Sequence, residues 1–169
     1  MKISMEMRRK KQALAEGEIM EVIHRNTYGV LSLCDGDGMP YGVPLNYAYA
    51  NDRFYFHCAK TGYKNDIIGS GVKAALTIVD SDTVIPETFS TDYVSIIARG
   101  TVKPITGDAA MDAIVLLAAQ LGIDDAVAQK KEIEGAFDRV EMFCFTPEVI
   151  SGKMAMAVAK KKSEFFTLE

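Results

Sequence analysis

The sequence predicts an α+β fold, mainly β, in which one antiparallel sheet closes on itself and helices lie at its periphery. Three observations carry that reading. Short alternating apolar runs recur at roughly 8–12-residue spacing, separated by Gly, Asn and Asp turn signals. The apolar period turns helical mainly near the start and between the fifth and sixth strand runs. No internal repeat or linker divides the 169 residues, so residues 1–169 read as a single domain.

The elements follow in order. Glu16–Arg25 sets Ile19, Met20, Val22 and Ile23 on a helical stripe with charges between them, and Asn26-Thr27 ends it. Tyr28–Cys34 alternates and is rich in strand formers, which makes it the first strand. Asp35-Gly36-Asp37-Gly38 is a tight turn, because Gly accepts positive φ and Asp accepts the left-handed region. Tyr41–Ala50 is the second strand. Pro44 within it cannot donate a ladder hydrogen bond and marks an edge or a bulge. After the Asn51-Asp52 turn, Arg53–Cys58 is the third strand, and the three runs form an antiparallel meander.

Ala59–Tyr63 is a loop, and Lys64–Ser70 a short helix ended by Gly69 and Gly71. Lys73–Asp80 is the fourth strand, Ser81–Asp92 a polar connection holding Pro86, and Tyr93–Lys103 the fifth strand, with Gly100 as its bulge position. Asp108–Gly122 is a helix with Asp108 as N-cap and Gly122 as stop. Asp124–Phe137 reads as a second helix and Arg139–Phe145 as the sixth strand. Val149–Met156 is a seventh strand or an extended tail, and Lys160-Lys161-Lys162 a solvated, frayed end.

Composition removes several function classes. With 49% apolar and 25% charged residues the chain is not disordered. A net charge of −4 argues against non-specific nucleic-acid binding, which runs on phosphate neutralisation. The longest nearly uncharged apolar stretch, Ala113–Ile123, falls short of the ~20 residues that span a bilayer, so no membrane segment is expected. Lys2 and Arg8–Lys11 precede no apolar h-region, so the start is not read as a secretory signal. Cys34, Cys58 and Cys144 share no CxxC or zinc spacing, and two histidines cannot build a multi-His metal site. Reduced thiols in a cytoplasmic protein are the expectation, with no metal. GxGxxG, P-loop, HExxH and GxSxG motifs are all absent. If the chain does chemistry, a bound cofactor is the economical source.

Two stretches carry polar chemistry. In Gly42-Val43-Pro44-Leu45-Asn46 the proline interrupts the ladder and frees neighbouring backbone groups for a ligand. The run Phe56–Lys64 ends a strand with His57 and supplies Lys60 and Lys64 around Thr61-Gly62, a donor set suited to one phosphate group. On composition alone, the same residues also read as an edge proline, a rim histidine and solvated loop lysines. His24 reads as a capping or surface residue, and the Met111–Leu121 stripe as core or interface.

The order and spacing of these runs resemble a known family. The carriers are Met7–Lys10, Tyr28–Ser32, Asp37–Tyr47, Tyr55–Ala59, Gly62-Tyr63-Lys64, Pro86–Tyr93 and Ser95. Over about residues 7–153 they are similar to the flavin-binding split barrels related to pyridoxamine 5′-phosphate oxidase. The nearest resemblance is to the 5-nitroimidazole antibiotic resistance (Nim) branch.

The resemblance implies a six-stranded, Greek-key split barrel that dimerises and holds one FMN in each of two clefts at the dimer interface. Val43, Pro44, Leu45 and Asn46 would line the flavin ring. His57, Cys58 and Ala59 would sit at the strand end beside ring and ribityl chain. Lys64 matches the family's phosphate lysine, with Lys60 as a helper, and Tyr93 and Ser95 are secondary candidates, from this subunit or the other. Gly62-Tyr63-Lys64 departs from the more basic pattern of the oxidases themselves, which argues against pyridoxine-phosphate oxidation. The expected function is an FMN-dependent oxidoreductase passing electrons to a small-molecule acceptor, with His57 as proton donor. A flavin carrier or sensor and a haem-binding split barrel are the alternatives.

Overall fold

The computed structural model describes residues 2–3, 8–122, 133–135 and 137–167. Helix α1, Glu16–Arg25, has the bounds its apolar stripe predicts. Ile19, Val22 and Ile23 are fully buried on that stripe. Glu18 accepts the Ala15 N–H at 2.7 Å, satisfying one donor at the helix start. Glu16 and Glu18 in the first turn and His24 and Arg25 in the last complement the helix dipole.

The strands are β1 (Lys2–Ile3), β2 (Tyr28–Cys34), β3 (Pro40–Asn46), β4 (Ala48–Ala50), β5 (Arg53–Ala59), β6 (Val72–Ile85), β7 (Ser90–Ile105) and β8 (Val140–Met154). They form one sheet in the order β3-β2-β6-β7-β8-β5-β4, with β1 paired in parallel to β8. The path thus holds seven strands where six were expected, because the run 41–50 is two strands. The expected meander is broken at the same place. β3 pairs with β2, β4 pairs with β5, and β3 has no ladder to β5.

The break sits at Tyr47, which is fully buried and donates its hydroxyl to the carbonyl of Ile23 at 2.8 Å. β3 and β4 are the two ends of the path, yet only Tyr47 separates them in sequence. The chain itself therefore closes the sheet into a barrel, and the missing β3–β5 ladder is its split.

Ser81–Asp92 is strand rather than loose connection. β6 and β7 pair from Val72↔Val102 out to Ile85↔Ser90, with a register shift between Val79 and Ser81. Their turn is a single 3-10 turn, Pro86–Thr88, followed by Phe89 in the left-handed region. The sixth and seventh runs are likewise one strand, β8, of 15 residues. Pro147 lies inside it opposite Gly100, at the register shift between Arg99 and Gly100. A Cβ on Gly100 would meet the Thr146 carbonyl oxygen at 2.1 Å, so glycine is required at this bulge.

The main core fills the barrel with Leu31, Phe54, Phe56, Leu76, Ile96, Phe143 and Phe145, backed by α1. Each such large side chain contributes roughly 1.5–3 kcal/mol of burial. Helix α3, Asp108–Gln120, packs Ala110, Ala113, Ile114, Leu117 and Ala118 on the outside of the barrel against Ala48 and Met142. Asp108 is its first helical residue, not its cap. Gly107 holds the cap position at φ 63° with no side-chain hydrogen bond. The second helix lies outside the described residues, apart from Ile133, Glu134, Gly135 and Phe137, which are helical.

The C-terminal lysines do not form a frayed end. After helix α4, Met156–Ala159, Lys162 pairs with Glu18 at 2.8 Å and Phe166 is buried in the main core. No helix among the described residues is long and apolar enough to cross a membrane.

Candidate functional site

Alternation decides which side chains face out. Phe54, Phe56 and Cys58 point into the core, so His57 between them is exposed on the outer face of β5. On β3, Gly42, Pro44 and Asn46 are exposed, while Tyr41, Val43 and Leu45 pack against the main core. Asn46 donates its amide to the Thr27 carbonyl at 3.1 Å.

These two strands form the lips of the split. β3 ends the sheet path, so its second edge has no strand partner. Residues 56–59 of β5 pair with β8 alone, because β4 reaches only Tyr55. Both free edges run away from Tyr47 towards helix α2, Tyr63–Ile68. Gly62, at φ 145°, makes the turn into α2. Tyr63 closes the wide end by packing edge-on against Tyr41 with ring centroids 5.2 Å apart. Its hydroxyl donates to Asp35 at 2.5 Å. That bond, with the Met39 N–H, holds the Asp35 carboxyl below its ordinary value.

Lys64 is half-buried in the first turn of α2, and Lys60 is exposed in the loop before it. His57 is held below the ordinary imidazole value, first by partial desolvation and then by the charge of Lys64. The split therefore gathers Val43, Pro44, Leu45, Asn46, His57, Ala59, Lys60 and Lys64 on its two lips and wide end.

Cys58 stands apart. It is 9% exposed, and its thiol lies 3.1 Å from the Ala59 carbonyl and 3.3 Å from Asn65 Oδ1, on the core side of the strand. Tyr93 and Ser95 lie on β7, separated from β3 by β2 and β6. That is three strand spacings, about 14 Å, so one chain does not bring them to the β3 lip. Ser95 faces outward between the buried Val94 and Ile96, and the ammonium of Lys153 sits 5.6 Å from the Tyr93 ring centroid.

Sequence reasoning missed Asn65. Its amide donates to the Ala59 carbonyl at 3.0 Å and to Glu141 at 2.9 Å, tying the end of β5 to α2 and β8. The only signal was its position after Lys64. Among the described residues no group of three or more His, Cys, Asp or Glu side chains could hold a metal.

Comparison with known proteins fits this architecture. No curated protein matches the chain significantly in sequence. Among solved structures, a proposed 5-nitroimidazole antibiotic resistance protein from Bacteroides thetaiotaomicron superposes with a TM-score of 0.70 at 19% identity, over 84% of this chain and 86% of that one. A FAD and haem binding protein from Mycobacterium smegmatis gives 0.71 at 18% identity, over 87% and 74%. A FAD-binding protein from Mesorhizobium loti gives 0.55 at 22% identity, over 85% and 97%. At these identities the likeness establishes the fold. The sequence profile described as pyridoxamine 5′-phosphate oxidase matches residues 15–154, nearly the whole barrel, and the chain belongs to that family of split barrels.

Proposed function

We propose that this chain is a flavoprotein, binding FMN along the split between β3 and β5 and acting as an oxidoreductase on a small-molecule electron acceptor. The observation that carries the reading is the convergence of two unpaired strand edges on α2, where Lys64 stands close enough to His57 to depress its pKa. Free backbone donors and acceptors suit the polar rim of a flavin ring, and Lys60 and Lys64 suit its single phosphate. Three of the structural neighbours are described as FAD-binding and one as a nitroimidazole resistance protein, which supports the same chemistry.

When bound, FMN supplies the electron transfer itself. The chain's residues do the rest. Lys64, with Lys60, anchors the phosphate. Residues 43–46 and Ala59 present backbone to the ring. His57 is the proton donor to the acceptor; its lowered pKa makes the protonated form a stronger acid but a scarcer one near neutral pH.

The functional unit is proposed to be a homodimer. Tyr28, Val79 and Ile97 are exposed on the outer sheet face, beside β3 and on the same side as Ser95. A second copy covering that face would bury them and carry Ser95 and Tyr93 to its partner's split.

The test is the absorption spectrum and released mass of the chromophore in the purified protein. The flavin is then mixed rapidly with NADH or NADPH, followed by a nitroaromatic acceptor. Released FMN, bleached and reoxidised, is the expected result. FMN without turnover indicates a carrier, and a Soret band in its place indicates haem, a ligand named for three structural neighbours.

A further inference from the structure

Lys64 stands in the chain between two ties that reach opposite lips of the split. On one side, Tyr63 donates its hydroxyl to Asp35 at 2.5 Å and packs edge-on against Tyr41 of β3. On the other, the Asn65 amide donates to the Ala59 carbonyl at the end of β5 at 3.0 Å and to Glu141 of β8 at 2.9 Å. Among the described residues, Lys64 itself takes part in no side-chain hydrogen bond or ion pair. Its placement is set by its two neighbours.

Asn65 is the more fully engaged of the two. Its Oδ1 accepts the Cys58 thiol at 3.3 Å, its backbone N–H donates to the Gly62 carbonyl at 2.8 Å, and its carbonyl accepts the Gly69 N–H at 2.9 Å. Both halves of the side-chain amide and both backbone groups are thus used. Cys58 and Glu141 are register partners, so the amide is pinned to two adjacent strands at once. Helix α2 is only six residues long, too short to hold its shape or place by itself in water. Its far end is anchored by Ile68, which is buried in the main core. Its near end, where Lys64 lies, has no buried side chain, and the bonds of Tyr63 and Asn65 take that role.

We propose that Asn65 is a positioning residue for the flavin phosphate: its amide fixes Lys64 at the wide end of the split before any ligand arrives. Resting on the flavin reading above, this makes the tie, and not the charge of Lys64 alone, a source of preference for a phosphorylated flavin. Ordering a loop and its lysine at the moment of binding costs affinity, and a turn already tied to both lips avoids that cost. The same tie keeps the charge of Lys64 within reach of His57.

Two measurements on the purified full chain test this, and the first needs no flavin. Asn65→Ala removes the three side-chain bonds but favours the helix, so α2 is untied rather than melted. In flavin-free protein the NMR midpoint of His57 is expected to rise in Asn65→Ala, as it does in Lys64→Met. Added to Lys64→Met, Asn65→Ala is expected to give no further rise. The second measurement compares FMN with riboflavin by fluorescence titration. Asn65→Ala is expected to lower the preference for FMN about fivefold. Asn65→Leu, which has the same branched shape without the polar atoms, repeats both readings should alanine disturb the fold. A His57 midpoint that stays put, or that rises equally with and without Lys64, overturns the positioning role. An unchanged ratio of FMN to riboflavin affinity overturns the phosphate role. If neither flavin binds, the flavin reading fails, and the His57 midpoint alone decides whether Asn65 holds Lys64 in place.

Discussion

Arg25 grips Asp80 through two parallel bonds, Nε to Oδ1 at 2.7 Å and Nη2 to Oδ2 at 2.5 Å. The same guanidinium donates to the Phe165 carbonyl at 2.7 Å and covers the Phe166 ring at 5.2 Å. One residue at the end of α1 thereby joins β6 and the C-terminal segment. Asp80 also accepts the Asn26 amide at 2.7 Å, and its side chain is only 8% exposed. Asp80→Ala strands two donors and is expected to cost about 3 kcal/mol in urea denaturation, near the low end for breaking a buried pair because Arg25 keeps partial solvent contact. Trypsin should also cut faster at Lys160–Lys162. Unchanged stability and unchanged cutting would show that the pair does not hold the tail.

Gly100→Ala should be among the most damaging single substitutions. Its Cβ would meet Pro147 Cα at 2.8 Å as well as the Thr146 carbonyl, and both are backbone atoms that cannot swing aside. A loss of roughly 3 kcal/mol or more is expected. Gly42→Ala is the control. There the nearest neighbour is Val30 Cγ1 at 3.5 Å, an ordinary contact, and thermal melting should move little.

The depressed pKa of His57 gives a pH dependence of definite sign. The unfolded chain, with imidazole near its ordinary ~6.5, takes up the proton before the folded chain does. His57's contribution is therefore complete above that value. It is lost as pH falls through the window between the ordinary value and the lower folded one. NMR titration of His57 should show a midpoint below the ordinary imidazole value. Lys64→Met should move it up only part of the way, because desolvation is the larger cause. A midpoint unmoved by that change would remove Lys64 from the neighbourhood of His57.

The phosphate role proposed for Lys64 can be tested with two flavins. If its ammonium holds the phosphate, Lys64→Met should weaken FMN by about tenfold or more while riboflavin, which lacks the phosphate, binds as before. Fluorescence titration of both ligands reads this directly. An equal loss for both would place Lys64 at the ring or in the fold instead.

Phe89 is fully exposed and sits at φ 49°, ψ 43°, a conformation that bulky side chains resist. Phe89→Asn should raise stability by roughly 0.5–1 kcal/mol, since Asn tolerates that region. A loss on thermal melting would mean that the ring packs against something in the assembled protein.

The sequence was most legible where one face is buried. Glu16–Arg25 shows its stripe, and Phe54, Phe56 and Cys58 alternate with His57 plainly enough to orient β5. Gly100 was readable as a bulge, but the strand through its partner Pro147 was read as two elements, Arg139–Phe145 and Val149–Met156. The proline's missing N–H matters less where the register already slips. Ser81–Asp92 was read as loop because much of this ribbon lies beyond the reach of β2 and β8, so its side chains show no buried alternation. The split itself was legible only as an interrupted strand at Pro44. That the break falls at Tyr47 depends on a hydroxyl bond to Ile23, a contact across the core that no local pattern announces. The pairing of Lys162 with Glu18 is equally non-local.

Tyr47 has one further consequence. A gap whose two walls spring from a single anchored residue is a wedge with a fixed vertex, not a slot of constant width. Its aperture is set by the angle at that vertex, and the buried ring and its bond to α1 stiffen the angle. A flat molecule could seat itself only from the broad end, past Lys60 and Lys64. The depth such a molecule could reach would follow its thickness, so the proposed flavin would be gauged by the wedge before any side chain read it.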